Sequence, residues 1–154
     1  MVKKLYPEHP IVGVGIVILK DGKLLLAKRG NEPAKGKWSI PGGVVELGES
    51  LEAAVAREAK EETGLEVETP RLIDVVDQMD VDESGRVKYH FVIVDYLLKI
   101  KNGTPKAASD VEELRWVALS EVETYNLTDS FRRFFIKNKS KLQNVACSTC
   151  TSVG

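Results

Sequence analysis

The chain contains 154 residues, of which 43% are hydrophobic and 29% are charged, a size and composition that suit one globular domain with its own apolar core. Its 22 Lys and Arg residues are matched by 23 Asp and Glu residues, and the net charge of -1 leaves no basic surplus to drive binding to duplex nucleic acid or anionic lipid. We therefore expect a small-molecule partner, a single domain over residues 1–138, and a polar, mobile tail over residues 139–154.

The first apolar run predicts a strand and not a leader or a membrane span. Ile11 to Leu19 is rich in β-branched residues, but it is too short to cross a bilayer and ends without a small-residue cleavage site. Residues 20–23 carry an Asp-Gly turn signature and Leu24 to Lys28 return, so we predict a β-hairpin near the centre of the sheet. Ile18 stands where a dinucleotide fingerprint needs its third glycine, which rejects that fold. A cytoplasmic location is the resulting expectation.

A glycine pair leads from the hairpin to a predicted helix. Gly42 and Gly43 allow the backbone to approach a ligand closely. Further on, Ser50 is a suitable N-cap and Gly64 a suitable left-handed C-cap, and good helix formers lie between them. The sequence therefore predicts a helix from Leu51 to Thr63.

The rest of the chain predicts a sheet and a second helix. The expected elements are strands over Leu72 to Met79, Val87 to Leu98 and Leu114 to Ala118, a helical turn over Ser120 to Glu123, and a final helix capped by Asp129 or Ser130. Residues 80–86 hold acidic side chains at EF-hand spacing, but Phe91 replaces the bidentate glutamate, so a hairpin loop is predicted. Phe131, Phe134 and Phe135 share one helix face and are assigned to the core. This order of strands and helices indicates an α/β sandwich with a mixed sheet.

The first predicted helix places carboxylates on its inner face. Its apolar face, which must pack against the protein, consists of Leu51, Ala54, Val55 and Ala59. Glu58, Glu61 and Glu62 continue that face, each one heptad beyond Leu51, Ala54 and Val55 respectively, whereas Arg57 and Lys60 are expected on the outer face. Because burial of unpaired carboxylates is costly, we expect a divalent cation between them.

The ligand types indicate which metal is expected. Oxygen donors favour Mg²⁺ or Mn²⁺, and Mg²⁺ usually binds one or two carboxylates together with substrate phosphates. Zinc is not expected, because no Cys or His lies near the helix and Cys147 and Cys150 supply only two thiolates, to which we assign no function. A phosphate-bearing substrate is therefore expected to complete the site.

Fixed residue types recur at fixed spacings in this helix and its flanks, namely Gly43, Glu49, Arg57, Glu58, Ala59, Glu61, Glu62, Gly64 and Leu65. At these positions the chain resembles the Nudix box. The resemblance implies an α/β/α sandwich with a mixed sheet. It also implies a Mg²⁺- or Mn²⁺-dependent pyrophosphohydrolase acting on a nucleoside diphosphate derivative such as ADP-ribose or a nucleotide sugar. Related proteins are often dimers, so a second copy of the chain is included among the expected partners.

The helix geometry and the resemblance together suggest roles within this motif. The expected metal ligands are Glu58, Glu62 and, by resemblance, the Gly43 carbonyl. Glu61 is expected either to bind a further metal or to accept the proton of the attacking water, and Arg57, four residues earlier, to orient it. Glu49 is expected to pair with Arg57 or to bind metal through water.

Residues outside the motif are candidates for the substrate and for the base. They are Arg29 for a phosphate, Trp38 or Tyr89 for stacking on a base or sugar, and the acidic Asp110, Glu112 and Glu113, because the family's base sometimes comes from a loop. Each has an ordinary structural alternative.

Two other functions stay open. The enzymatic alternative is sanitising of oxidised nucleoside triphosphates, since the proline often found beyond the box of ADP-ribose hydrolases is absent near Asp80. The alternative of another class is a non-catalytic nucleotide sensor. Such a sensor is expected to have lost box glutamates, and here Glu58, Glu61 and Glu62 are all present.

Overall fold

The computed structural model describes the backbone of residues 3–151 and the side chains of residues 3–147. The strands are β1 (Ile11–Lys20), β2 (Lys23–Arg29), β3 (Trp38–Ser39), β4 (Gly42–Val44), β5 (Glu66–Val81), β6 (Val87–Asn102) and β7 (Val111–Ala118). The helices are α1 (Leu51–Thr63), a 3₁₀ helix (Leu119–Thr124) and α2 (Asp129–Thr151). Within this described part of the chain, no helix combines the length and apolar character needed to cross a membrane.

The predicted hairpin lies at the centre of the sheet. β1 and β2 pair antiparallel with Leu19 opposite Leu24, and Asp21 and Gly22 between them have positive φ angles of 52° and 74°, as a type I′ turn requires. The strand order is β3-β2-β1-β6-β5, with β4 paired to β1 and β7 to β2. Because β1 pairs parallel with β6 and antiparallel with its other partners, the prediction of a mixed sheet is confirmed.

Two apolar clusters lie on opposite faces of the sheet. Ile16 and Ile18 of β1 pack with Ala54 and Val55 of α1. Val17, between them on β1, packs instead with the phenylalanines of α2. Since successive side chains on a strand point to opposite faces, α1 and α2 cover the two faces of the sheet. The expected α/β/α sandwich is therefore confirmed.

β5 and β6 are longer than predicted, with 16 residues each, and β7 already begins at Val111. The antiparallel pairing of β5 with β6 continues beyond the apolar centres of both strands, so that their polar end residues also belong to the sheet. Asp82 closes the loop between them, because its Oδ1 accepts hydrogen bonds at 2.9 Å from the N–H groups of Ser84 and Arg86. The hairpin loop predicted in place of an EF-hand is thus confirmed.

The N-cap of α2 differs from the prediction. Neither Asp129 nor Ser130 is the cap, because both lie inside the helix. Thr128 takes this place, and its Oγ1 accepts a hydrogen bond from the Phe131 N–H at 3.3 Å. Thr128, Asp129 and Ser130 are all residue types that commonly cap helices, so the sequence alone does not show which of them is the N-cap.

The segment predicted as a tail is helical as far as Thr151, so that prediction is wrong for residues 139–151. Leu142 is fully buried and Ala146 nearly so, both within the cluster around the α2 phenylalanines. Polar residues outnumber apolar ones in this stretch, but Leu142 and Ala146 are four residues apart and therefore share one face of the helix. Cys147 is exposed, and the side chain of Cys150 lies outside the described residues.

The packing of this helical end predicts a clear stability effect. Replacing Leu142 by Ala is expected to lower the free energy of unfolding by about 2–5 kcal/mol, the usual cost of a buried Leu→Ala cavity. Gln143→Ala, at the neighbouring exposed position, is expected to stay within about 0.5 kcal/mol of the original protein. Urea denaturation followed by circular dichroism measures both, and equal midpoints for the two variants would contradict this packing.

Candidate functional site

Local interactions at both ends position α1. The Ser50 Oγ accepts a hydrogen bond from the Ala53 N–H at 3.1 Å, which confirms the predicted N-cap. Gly64 follows the helix at φ 72°, a left-handed conformation that glycine adopts without strain, and its N–H bonds to the Lys60 carbonyl. The small apolar side chains between these caps pack on the sheet and so set which carboxylates face inward.

Two of the three carboxylates predicted to face inward are buried. Glu58 and Glu62, one helical turn apart, are each 8% exposed, whereas the Glu61 side chain is 50% exposed. The prediction is therefore wrong for Glu61. At about 100° per residue, Glu61 lies about 60° around the helix from Glu58 and about 100° from Glu62, at the edge of the buried face.

Arg57 lies within the carboxylate cluster, so its predicted place on the outer face is wrong. Its Nε and Nη2 donate to the two carboxylate oxygens of Glu49 at 2.7 and 2.8 Å. Its Nη1 donates to Glu58 at 2.8 Å and to Glu61 at 3.2 Å, and Nη2 also donates to the Val44 carbonyl at 3.0 Å. The long side chain reaches around the helix edge, and one guanidinium thereby holds three carboxylates and β4 together.

Pairing and burial shift the pKa values of these carboxylates in opposite directions. Hydrogen bonds from Arg57 and from the Glu46 N–H lower the pKa of Glu49 to about 2. Burial raises the pKa of Glu58 in spite of its bond to Arg57. Burial, and then repulsion by Glu58, raises the pKa of Glu62 to about 8, and no described Lys or Arg forms an ion pair with Glu62. Glu62 is thus the least compensated charge in the cluster.

The glycine pair brings the backbone of β4 against these carboxylates. A Cβ added to Gly43 would overlap the Glu58 carboxylate, and one added to Gly42 would overlap the Val14 carbonyl oxygen on β1. The Gly42 N–H also bonds to Glu62 and offsets part of its raised pKa. Two residues without side chains are therefore needed where β4 passes between β1 and α1.

The donor set fits a hard divalent cation that takes further ligands from elsewhere. Within residues 3–147, no group of three or more Asp, Glu, His or Cys side chains is arranged to hold a metal ion by itself. Glu58 and Glu62 nevertheless place two buried carboxylates beside the Gly43 backbone, and Glu62 has no cationic partner there. Mg²⁺ and Mn²⁺ suit such oxygen donors and complete their shells with water and phosphate.

The carboxylates line a cleft of about 460 Å³, a volume typical of small-molecule sites. Its charged lining residues include Lys4, Arg29, Glu46, Arg57, Glu58, Glu61, Glu62 and Asp110. Its apolar lining residues include Ile40, Val76, Phe91, Ile93, Phe131 and Phe134. The cleft therefore suits a ligand with one highly charged part and one flat or apolar part.

Arg29, predicted to hold a phosphate, and Asp110, a candidate for the base, both line this cleft. The Arg29 Nε donates to the Pro33 carbonyl at 2.7 Å, which leaves its other guanidinium nitrogens available to a ligand. The Asp110 carboxylate accepts from the Asn31 side chain at 2.7 Å. The structure thus brings these two residues together with the helix carboxylates.

The two aromatic residues predicted to stack on the substrate do not line the cleft. Trp38 is buried in the cluster around α2, with its ring centroid 5.3 Å from that of Tyr125, so its prediction is wrong. Tyr89 stacks on Phe91 of the same strand at 6.2 Å, and only Phe91 lines the cleft. Core packing accounts for Trp38, and same-strand packing accounts for Tyr89.

Glu112 and Glu113 are also outside the cleft lining. Glu112 is exposed and lies 4.0 Å from the Lys28 ammonium, and Glu113 pairs with Arg115 two residues along β7. Their predicted place near the substrate is therefore corrected to surface pairing on β7.

Sequence reasoning missed Asp95, which lines the cleft from β6. It is 2% exposed, and burial, followed by the neighbouring charge of Asp74, raises its pKa to about 7. The available signal was a lone carboxylate inside an apolar strand. Phe131 and Phe134, predicted as core residues, pack in the core and line the cleft as well.

Comparisons with known proteins agree with this architecture. Residues 9–137 match the model of the NUDIX domain. Among curated relatives, an ADP-ribose pyrophosphatase from Methanocaldococcus jannaschii is 41% identical over 114 residues, which are 74% of this chain. The match spans 65% of the length of that relative.

Solved structures show the same fold. A MutT NUDIX hydrolase from Burkholderia pseudomallei is 38% identical, with a TM-score of 0.73 over 81% of this chain and 95% of that one. The NUDIX domain of Shewanella oneidensis NrtR, solved with ADP ribose, is 23% identical, with a TM-score of 0.71 over 88% of this chain and 90% of that one. The second likeness concerns the fold alone.

Proposed function

The chain belongs to the NUDIX family, and from this premise we propose that it hydrolyses the diphosphate linkage of a nucleoside diphosphate derivative, with Mg²⁺ or Mn²⁺ as cofactor. The main support is the pair of buried carboxylates, Glu58 and Glu62, that line a cleft without enough cations to balance them. The relative described as an ADP-ribose pyrophosphatase favours ADP-ribose or a similar compound as substrate.

In this proposal Glu58, Glu62 and the Gly43 carbonyl hold the metal. The bound cation supplies neutralisation of the phosphoryl oxygens and a lower pKa for an attacking water. Burial suits both glutamates to this work, because a low-dielectric setting strengthens their attraction for a divalent cation. The Gly42 N–H bonded to Glu62 keeps that carboxylate oriented.

Glu61 is the proposed acceptor of the water proton, with binding of a further metal as its alternative role. Its side chain is half exposed, so a water molecule has access to it. Arg57 positions it through a 3.2 Å hydrogen bond, and Glu49 in turn fixes Arg57 with two hydrogen bonds. Arg29 is the proposed phosphate contact because its guanidinium lines the same cleft. Asp110, also in the lining, is the alternative base.

The proposal is tested with a substrate panel. ADP-ribose, nucleotide sugars, dinucleoside polyphosphates and oxidised nucleoside triphosphates are each incubated with Mg²⁺ or Mn²⁺, and the products are separated by chromatography. We expect hydrolysis of a diphosphate-linked compound to a nucleoside monophosphate, with activity abolished by a chelator and restored by added metal.

The other outcomes separate the alternatives. Preference for oxidised triphosphates favours the sanitising function. Tight nucleotide binding without turnover of any compound favours a sensor. Turnover unchanged by a chelator would contradict the metal-dependent mechanism. A homodimer and a cytoplasmic location stay predictions.

A further inference from the structure

Asp95 is buried without a hydrogen-bond partner for one of its carboxylate oxygens. The residue is 2% exposed, and its Oδ2 finds no partner among the described residues. Buried polar atoms are normally satisfied, and an unpaired carboxylate is among the costliest exceptions. The neighbouring Asp74 carboxylate cannot be this partner, because in its ionised form it has no proton to donate, and it accepts hydrogen bonds from Asn138 at 2.9 Å and Lys137 at 3.2 Å.

A glycine on the neighbouring strand β1 leaves room for the Asp95 carboxylate. Asp95 lies opposite Gly15 in the parallel pairing of β1 with β6. A Cβ on Gly15 would overlap the Asp95 Oδ1 and would lie 2.9 Å from the Ile40 side chain. The Asp95 side chain therefore occupies the space that a β1 side chain would otherwise fill, and its orientation is held by close packing.

Apolar side chains line the cleft on the face of β6 that carries Asp95. Phe91 and Ile93 share its face of β6, since alternate residues of a strand point the same way. Phe131 and Phe134 of α2 also line the cleft and cover this face of the sheet. A buried acceptor oxygen beside flat and branched apolar side chains is the arrangement expected for a heterocycle that carries a hydrogen-bond donor.

This inference rests on the proposed function, in which the charged part of the substrate lies near α1. A phosphate cannot be the partner of Asp95, because two negative groups in an apolar setting repel strongly. We propose that Asp95 is a specificity-determining residue whose carboxylate accepts a hydrogen bond from an N–H group on the nucleobase of the substrate. A donor at this point favours the ionised carboxylate that accepts it. Asp95 thereby selects nucleotides over diphosphate compounds without a donor-bearing ring.

The test measures equilibrium binding, so that it does not depend on turnover. Calorimetry is performed with the 5′-diphosphates of adenosine, guanosine, cytidine and uridine, and with purine riboside and pyrimidinone riboside 5′-diphosphates, whose bases lack N–H donors. We expect the protein to bind its preferred natural nucleotide about tenfold more tightly than the matching donor-free analogue, the factor expected for one hydrogen bond to a charged group.

Two variants and a control complete the experiment. Asp95→Leu is expected to bring the affinity ratio close to one, and Asp95→Asn, which keeps one acceptor oxygen, to give an intermediate ratio. Asp77→Asn, on the exposed surface of β5, is expected to leave the ratio unchanged. Thermal unfolding confirms that each variant is folded.

The outcomes of the two proposals are distinguishable. An unchanged ratio in folded Asp95→Leu, or the absence of any preference for donor-bearing bases in the original protein, overturns the assignment of Asp95. Absence of hydrolysis together with the expected binding ratios overturns the proposed hydrolysis and leaves base recognition by Asp95 supported.

Discussion

Replacing Glu62 by Gln is expected to reduce turnover by about 100- to 1,000-fold while the protein remains folded. Gln keeps the size of the side chain and an acceptor oxygen but removes the negative charge that attracts a divalent cation. Loss of one preorganised electrostatic group at an active site typically costs this much in rate. Turnover is measured with saturating Mg²⁺ on the substrate identified by the panel.

The same variant is expected to unfold at or above the temperature of the original protein when no metal is present. Burial raises the pKa of Glu62 from 4.5 to about 8, so between these pH values the folded protein must bind a proton at Glu62 that the unfolded chain does not, a cost in stability that the neutral amide avoids. Added Mg²⁺ is expected to stabilise the original protein more than the variant. Glu52→Gln, an exposed change in the first turn of α1, serves as the control and is expected to alter neither property. Full turnover by Glu62→Gln would remove Glu62 from the metal site.

Features governed by neighbours along the chain were predictable from the sequence. The hairpin turn, the Ser50 cap and the Gly64 terminus each depend on residues within a few positions, and each is present as predicted. The burial of Glu58 and Glu62 follows from helical periodicity once the apolar face is known. The resemblance to the Nudix box was predictable from residue spacing alone. The α/β sandwich was predictable from the order of strands and helices along the chain.

Features that depend on packing between distant elements were not predictable. Helical periodicity places Arg57 on the outer face of α1, but its long side chain bends toward the buried face and donates hydrogen bonds to Glu49 and Glu58. From the sequence, Trp38 could equally stack on a ligand or pack in the core. Its packing against the phenylalanines of α2 shows that it belongs to the core. Asp95 lies on the cleft face because of the register of β6 against β1. The apolar residues on both sides of it in the sequence do not show which face of the strand it occupies.

The central position of Glu58 also makes Gly43 sensitive to a single methyl group. Gly43→Ala is expected to reduce turnover by about 100-fold and the free energy of unfolding by about 1–3 kcal/mol. Gly43 does not have a positive φ, so backbone strain contributes little, but the added Cβ would overlap the Glu58 carboxylate. Glu58 must then move from its hydrogen bond with Arg57 and from the proposed metal position. Steady-state kinetics and urea denaturation measure the two effects.

A second glycine provides the matched control. Gly85, in the β5–β6 turn, has φ 82° and no atom within 4 Å of an added Cβ, so Gly85→Ala introduces backbone strain without a clash. It is expected to cost about 1 kcal/mol of stability and no activity. Shortening the clashing side chain in Gly43→Ala/Glu58→Asp is expected to recover stability but not turnover, since the carboxylate no longer reaches its original position. Equal activity losses in the two alanine variants would show that the contact between Gly43 and Glu58 does not matter for the reaction.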